Sequence, residues 1–224
     1  MSDGRNAILS KIRSADARSG ASDAAAARAR LDAPPPQLVP ALGRPDPDQR
    51  VDLFMAKAVE LGASVARIGT LEDAPAALAA WLTEQSRPLS VVLAEDESLG
   101  ALGWQAAGLS TATGTARDTL DGAASVTRAR AGVAETGAVA VASDATCPVS
   151  LGLLPDRHIV ILKESEIVGG YEDVWTLARR ARDNQGMPRA LIFIGGPSRT
   201  ADIEATLVTG AHGPRAVHIL IAGE

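Results

Sequence analysis

Three short segments in the second half of the chain combine residue types that can do chemistry: Ala134-Glu135-Thr136-Gly137, Gly195-Gly196-Pro197-Ser198-Arg199-Thr200-Ala201-Asp202 and Gly210-Ala211-His212-Gly213-Pro214-Arg215. In the second, an apolar run at 190–194 delivers the chain to two glycines. Backbone N–H groups left uncovered there, beside a helix start, attract anions. Ser198 and Thr200 add hydroxyl donors, and the planar fork of Arg199 suits a carboxylate or phosphate. The segment is neither a Walker loop nor a dinucleotide fingerprint. The same residues also read as a plain helix start. Pro197 opens it, Ser198 or Thr200 caps it, and Asp202 and Glu204 complement the dipole while repelling a bound anion.

The other two segments carry the titratable groups. Glu135, at a Gly137-limited turn before an apolar run, has the form of a nucleophile, base or metal ligand, and equally of a solvated strand mouth. His212, bracketed by glycines, can titrate near neutrality as an acid or base, or can simply cap its turn. Tyr171, the one tyrosine, follows Gly169-Gly170 and reads as a ligand contact or as a helix-start anchor. His158 and His218 lie in apolar runs and are expected to face one side of a strand. The candidate catalytic pair is therefore Glu135 and His212. The candidate ligand-binding set is Thr136, Gly137, Tyr171, Gly195, Gly196, Ser198, Arg199, Thr200 and Asp202.

These residues need elements to hold them. From residue 50 onward apolar segments of period 3.6 alternate with short aliphatic runs. Helices are expected from 50 to Gly62, from Asp73 and Pro75 to Pro88, over 173–182 and over 198–208. Strands are expected at 64–68, 89–94, 138–142, 158–162, 190–194 and 217–222. The 190–194 run, almost wholly apolar, is expected to be central and buried on both faces. A helix over 198–208 would hold Arg199 and His212 at opposite ends, roughly 16 Å apart, and makes Glu135 or Tyr171 the better companions for Arg199. The alternation implies crossover connections and an α/β fold with a largely parallel sheet flanked by helices.

Ahead of this body, residues 2–13 can form a short amphipathic helix. Residues 14–48 are rich in Ala, Arg and Pro, with Pro34-Pro35-Pro36 favouring an extended path, and read as a solvated arm; a helix over 22–31 is the alternative. The expected division is 1–48, N-terminal helix and arm, and 49–224, the α/β domain.

Composition narrows the function. A net charge of −5 argues against sequence-independent nucleic-acid binding. No apolar run approaches the ~20 residues of a membrane span, and the first residues lack a cleavable leader pattern, so a cytoplasmic protein is expected. One cysteine, Cys147, can build neither a disulfide within the chain nor, by itself, an iron–sulfur cluster, and three histidines without ligand spacing give no metal site. Cys147 is expected to be a small buried apolar residue. No cofactor is named by these motifs.

In their order, Ala134-Glu135-Thr136-Gly137, Leu154-Pro155 with His158-Ile159-Val160, the block from Gly196 to Glu204, and Gly210 with His212-Gly213-Pro214 resemble the LUD-domain family, lactate-utilisation protein C type. The resemblance spans residues from about 50 to 224 and is strongest from 130. It implies a fold similar to the NagB/RpiA/CoA-transferase group, which includes 5-formyltetrahydrofolate cyclo-ligase. It implies a cluster-free subunit that works with two iron–sulfur partner subunits in oxidising L-lactate to pyruvate and binds a small anionic ligand. The alternative is a stand-alone enzyme of that fold group acting on an anionic sugar phosphate, folate or acyl-CoA; a third reading is a binding module without chemistry. Glu135-Thr136-Gly137 is similar in form to the nucleophilic Glu-x-Gly turn of class I CoA-transferases.

Overall fold

A computed structural model describes residues 2–16, 21–33, 38–115, 117–201, 207–210 and 212–223, and the chain divides into two compact units, Met1–Leu38 and Val39–Glu224. The first unit holds two helices, α1 (Ser2–Asp16) and α2 (Ala21–Asp32). α1 carries the amphipathic stripe, with Ile8 and Ile12 exposed. Where the arm was expected, α2 takes the helical alternative: its Ala and Arg residues are strong helix formers, and Arg28 pairs with Asp32 one turn on. The three prolines at 34–36 lie outside the described residues.

The second unit begins at Val39, ahead of the expected boundary at 49, because single 3₁₀ turns at Ala41–Gly43 and Pro47–Gln49 pack onto it. It continues through α3 (Arg50–Glu60), β1 (Ser64–Ile68), α4 (Ala74–Glu84), β2 (Ser90–Leu93), α5 (Glu97–Gly100), β3 (Ser110–Ala112), α6 (Arg117–Leu120) and β4 (Ala124–Arg128). Then come β5 (Ala131–Val133), β6 (Ala138–Ala142), α7 (Ser150–Leu153), β7 (Arg157–Lys163), β8 (Ile167–Val168) and α8 (Tyr171–Gln185). The last elements are β9 (Leu191–Ile194), β10 (Arg199–Ala201), β11 (Leu207–Thr209) and β12 (Ala216–Ala222).

The main sheet has six strands in the order β1-β12-β7-β4-β2-β3, every neighbour parallel. β7 and β12 are mostly aliphatic because helices or a second sheet cover both faces, with His158 and His218 buried among them, while β4 adds buried Ser125 and Thr127. On one face Leu78 and Leu82 of α4 meet Ile159, Ile161, Val126 and Leu220, with Leu99 and Trp104 beside them. On the other, Phe54 and Ala58 of α3 join Val160, Leu162, Val217, Ile219 and Ile221 against a smaller sheet of order β8-β5-β6-β9. The inward residues of that sheet are Val139, Val141, Ile192 and Ile194; its outer face, with Ala131, Val133, Ala140, Leu191 and Phe193, takes Val174 of α8.

Two expectations are corrected. The 190–194 run is not central: β9 is an edge strand, laddered only to β6 and half-buried along most of its length. It is apolar on both sides because it is sandwiched between the main core and α8, with no strand neighbour on its far edge among the described residues. The helix over 198–208 is replaced by an antiparallel hairpin in which Arg199 pairs with Thr209 and Ala201 with Leu207. Thr200, Val208 and Thr209 are β-branched, so strand pairing suits them better than a helix turn would. The acidic first turn expected at Asp202 and Glu204 lies outside the described residues.

Candidate functional site

The chain turns that carry the candidate residues meet at one end of the smaller sheet. β5 and β8 run parallel, so the turn after Val133 and the Gly169-Gly170 step after Val168 leave the sheet side by side. β9 is antiparallel to β6 with Val139 opposite Ile194, a register that brings Gly195 to the level of Ala138. Ligands gather at the carboxyl ends of strands in open α/β folds.

Glu135 is half-buried in the centre of this end. Its N–H donates to Gly169 O at 3.0 Å, and its Oε1 accepts from the N–H of Tyr171 at 3.2 Å. Tyr171 is the first residue of the 15-residue α8, so Glu135 supplies, from another strand, a negative charge at the positive end of that helix. Asp173 works from within, accepting from the N–H groups of Gly169 and Gly170 at 3.1 and 3.2 Å. The anion seat at the start of α8 is therefore filled by the protein's own carboxylates. A third, Glu172, faces the same spot: a Cβ on Gly170 would stand 3.2 Å from both Glu135 Oε1 and Glu172 Oε2. Glu172 Oε2 is shielded from solvent and has no hydrogen-bond partner among the described residues.

Thr136 and Tyr171 share a hydroxyl–hydroxyl hydrogen bond of 3.2 Å. That bond uses one of their two O–H protons, so the other is free for a ligand. The Tyr171 ring stands edge-on to Phe193 at 4.8 Å, which fixes its direction. Gly137, at φ 74°, has its Cα against the backbone of α3: a Cβ there would lie 2.1 Å from Ala58 N. Gly196 packs on the same helix one turn later, where a Cβ would meet Leu61 O at 2.6 Å. Both glycines thus admit the last turns of α3 at backbone contact, and their place in the site follows from that packing.

Ser198, Arg199 and His212 form a second group beside Gly196. The hairpin returns the chain so that Gly210 N–H donates to Ser198 O at 2.9 Å and His212 N–H lies 3.4 Å from Ser198 Oγ. The wide separation of residues 199 and 212 expected from a helix is thereby overturned. Arg199 folds back over Gly62 at the carboxyl end of α3, where a Cβ would meet its Nη2 at 1.9 Å. A guanidinium there is stabilised by the exposed carbonyls of the helix end. It has no carboxylate partner among the described residues. No hydrogen bond or ion pair joins Arg199 or His212 to Glu135 among them either. Thr200 lies on β10, and Asp202 falls outside the described residues.

Three participants escape a reading of motifs. Gly43 covers Glu135: a Cβ on it would stand 2.9 Å from Glu135 Oε2, and its own carbonyl crowds Gly169. Its only signal is a glycine between Pro40 and Pro45, in a stretch that composition assigns to the arm. Arg50 reaches Ile167 O with Nη1 at 3.5 Å, while its Nε is buried without a partner among the described residues. Glu172 is visible only as an acidic residue after Gly-Gly-Tyr.

The remaining titratable candidates stand elsewhere. Burial lowers His158 to about 4, with Nε2 and Thr127 Oγ1 2.8 Å apart. Burial also lowers His218 to about 4, although its bond with Ser64 opposes the shift; its ring stacks on Trp81 at 4.4 Å. Burial, helped by Asp144 and Asp96, pushes the Cys147 thiol up to about 11, so it carries no thiolate at neutral pH. Among the described residues no three His, Cys, Asp or Glu side chains gather as a metal site, and no helix is long and apolar enough to cross a membrane.

Against known proteins, residues 51–222 match the LUD domain. The uncharacterized protein YkgG of Escherichia coli (strain K12) is 32% identical over 186 residues, covering 77% of this chain and 80% of that protein. Lactate utilization protein C of Bacillus pumilus (strain SAFR-032) is 39% identical over 94 residues, 41% of this chain and 39% of that protein. The Bacillus subtilis (strain 168) protein of the same name is 37% identical over 92 residues, 40% and 38% respectively. These matches span about two fifths of the lactate utilization proteins' own length. The crystal structure of a DUF162 family protein from Deinococcus radiodurans shares the fold, with a TM-score of 0.61 at 21% identity, covering 80% of this chain and 99% of that one.

Proposed function

The chain belongs to the LUD-domain family, and on that premise we propose that it is the cluster-free subunit of an L-lactate utilisation system, in which lactate is oxidised to pyruvate. The relatives named lactate utilization protein C are the observation that carries this reading. One cysteine in the chain leaves electron transfer to iron–sulfur partner subunits, and the protein acts with them in the cytoplasm.

Its own contribution is to bind a small hydroxy acid at the carboxyl ends of β5, β8 and β9. Glu135 Oε1 accepts from the ligand hydroxyl, with the unpartnered Glu172 Oε2 beside it, and the free O–H of the Thr136–Tyr171 pair donates to the hydroxyl oxygen. Arg199, resting on the end of α3 without a carboxylate partner among the described residues, swings to hold the ligand carboxylate. In this reading Glu135 takes the hydroxyl proton, His212 passes protons at the rim, and the two electrons with the second proton leave to the iron–sulfur partner subunits.

Deleting the gene in its source organism tests the first part: growth on L-lactate should fail while growth on pyruvate persists, and unimpaired growth on lactate would overturn the reading. Calorimetric titration with lactate tests the second. Arg199→Ala should weaken binding by roughly 1.5–3 kcal/mol with the melting temperature unchanged. Unchanged binding with a lowered melting temperature would make Arg199 a helix cap and move the ligand elsewhere.

A further inference from the structure

The smaller sheet has a second opening, at the end opposite Glu135. α8 crosses the outer face of this sheet. Its first half packs closely, with Val174 buried and Tyr171 and Trp175 on Phe193. Its second half presents Ala178 and Ala181 toward the sheet, and the sheet answers with Ala142. Small residues on both sides leave helix and strands apart, and a cavity of about 470 Å³ remains. That is the size of a small-molecule site, which is often 300–1,000 Å³. Val174, Leu177, Met187 and Leu191 make its wall apolar, and Leu177 and Met187 stay exposed at 39% and 48%.

Its mouth is polar, with two arginines and one carboxylate. Arg130, Ser143, Asp144 and Arg189 line it. Asp144 is already committed: Oδ1 accepts from Thr146 N–H, Thr146 Oγ1 and Cys147 N–H, and Oδ2 from Arg130 Nη2 at 3.2 Å. Arg130 therefore keeps most of its donors, and Arg189 forms no ion pair among the described residues. Ser143 Oγ accepts from Ala190 N–H at 3.0 Å and can still donate outward. Two guanidinium groups against one saturated carboxylate leave a net positive, donor-rich rim over an apolar slot.

We propose that this cavity between α8 and the β6–β9 edge binds an amphipathic carboxylate, its tail against Val174, Leu177 and Leu191 and its head between Arg130 and Arg189. The site is separate from the Glu135 cluster and does not depend on what that cluster binds. Octanoate is the probe, titrated by calorimetry into the full chain. One octanoate per chain is expected, with affinity falling at least tenfold in Ala178→Trp, which fills the slot, and severalfold in Arg189→Glu, which reverses the rim. Glu135→Gln should leave octanoate binding unchanged. Should Ala178→Trp fail to fold, Arg189→Glu decides, because that side chain is exposed. Absence of saturable binding, or affinity insensitive to the foldable variants, overturns the proposal. So does a dimer in size-exclusion chromatography that Ala178→Trp dissociates and octanoate does not, since a second copy would then be the occupant.

Discussion

His158 and His218 stand on adjacent strands yet point to opposite faces of the main sheet, because His158 is level with Val217 and His218 with Ile159. Each ring has one nitrogen bonded and the other buried without a partner among the described residues. Both are held neutral, at about 4 against an ordinary 6.5. Above pH ~6.5 neither state of the protein is charged at these rings, so the shift costs nothing. As pH falls through that value the unfolded chain takes up protons that the folded chain refuses. Stability therefore drops until about pH 4, by at most ~3 kcal/mol per histidine. Urea unfolding at pH 7 and pH 4.5 should show this fall, and His218→Phe, which keeps a ring on Trp81, should flatten it; an equal slope in the variant would assign the acid sensitivity to other groups. Gly137 makes a second prediction at this scale. An alanine would combine a left-handed backbone with a Cβ inside contact distance of α3, so Gly137→Ala should lose roughly 2–4 kcal/mol, read as a lowered urea midpoint. Motif reading singled out Gly137 as part of a site; the reason it is glycine is a helix that approaches from more than seventy residues earlier in the chain, and no local pattern encodes that approach.

At the scale of elements, apolar runs are legible wherever burial is two-sided. β1, β6, β7 and β12 lie within a residue of the expected runs and α3 within two, while α4 ends short of Pro88 and α8 extends beyond 173–182 at both ends. What a run does not encode is its neighbours. Residues 191–194 are as apolar as a central strand because two layers cover them, while hydrogen bonding leaves them at an edge. The hairpin was missed for a related reason: helix-start chemistry at residues 197–202 outweighed the β-branched residues on either side, and pairing of Arg199 with Thr209 is a non-local event. These assignments separate in amide hydrogen exchange. Amides of β7 and β12, each laddered on both sides, should be the slowest of the chain, and those of β9 and β3, laddered on one side, clearly faster. Equal protection in β9 and β7 would restore the central placement.

For the molecule as a whole, the site draws on parts far apart in sequence. The Glu135 turn is covered by Gly43, itself in the stretch that composition marks as solvated, so the boundary of the folded unit and the boundary of compositional bias differ. A chain beginning at Val39 keeps the second compact unit whole and should unfold cooperatively within about 2 °C of the full chain. One beginning at Arg50 also strips the Gly43 segment from Glu135 and Gly169, and should melt several degrees lower. Identical melting of the two shortened chains would show that the segment adds nothing. The family and the α/β class were legible because they rest on ordered blocks and on periodicity. The Glu135–Tyr171 and Gly43 contacts were not, because each joins segments whose nearness is set only by the sheet.

The place of β12 bears on how the protein is made. It lies between β1 and β7, parallel to both, and it is the latest strand in the sequence among those described. During synthesis, residues 64–68 and 157–163 leave the ribosome without the strand that joins them, each with an unpaired apolar edge. Only when residues 216–222 emerge can these two edges be joined, and until then each is an open apolar edge of the kind that exposes a folding intermediate to aggregation.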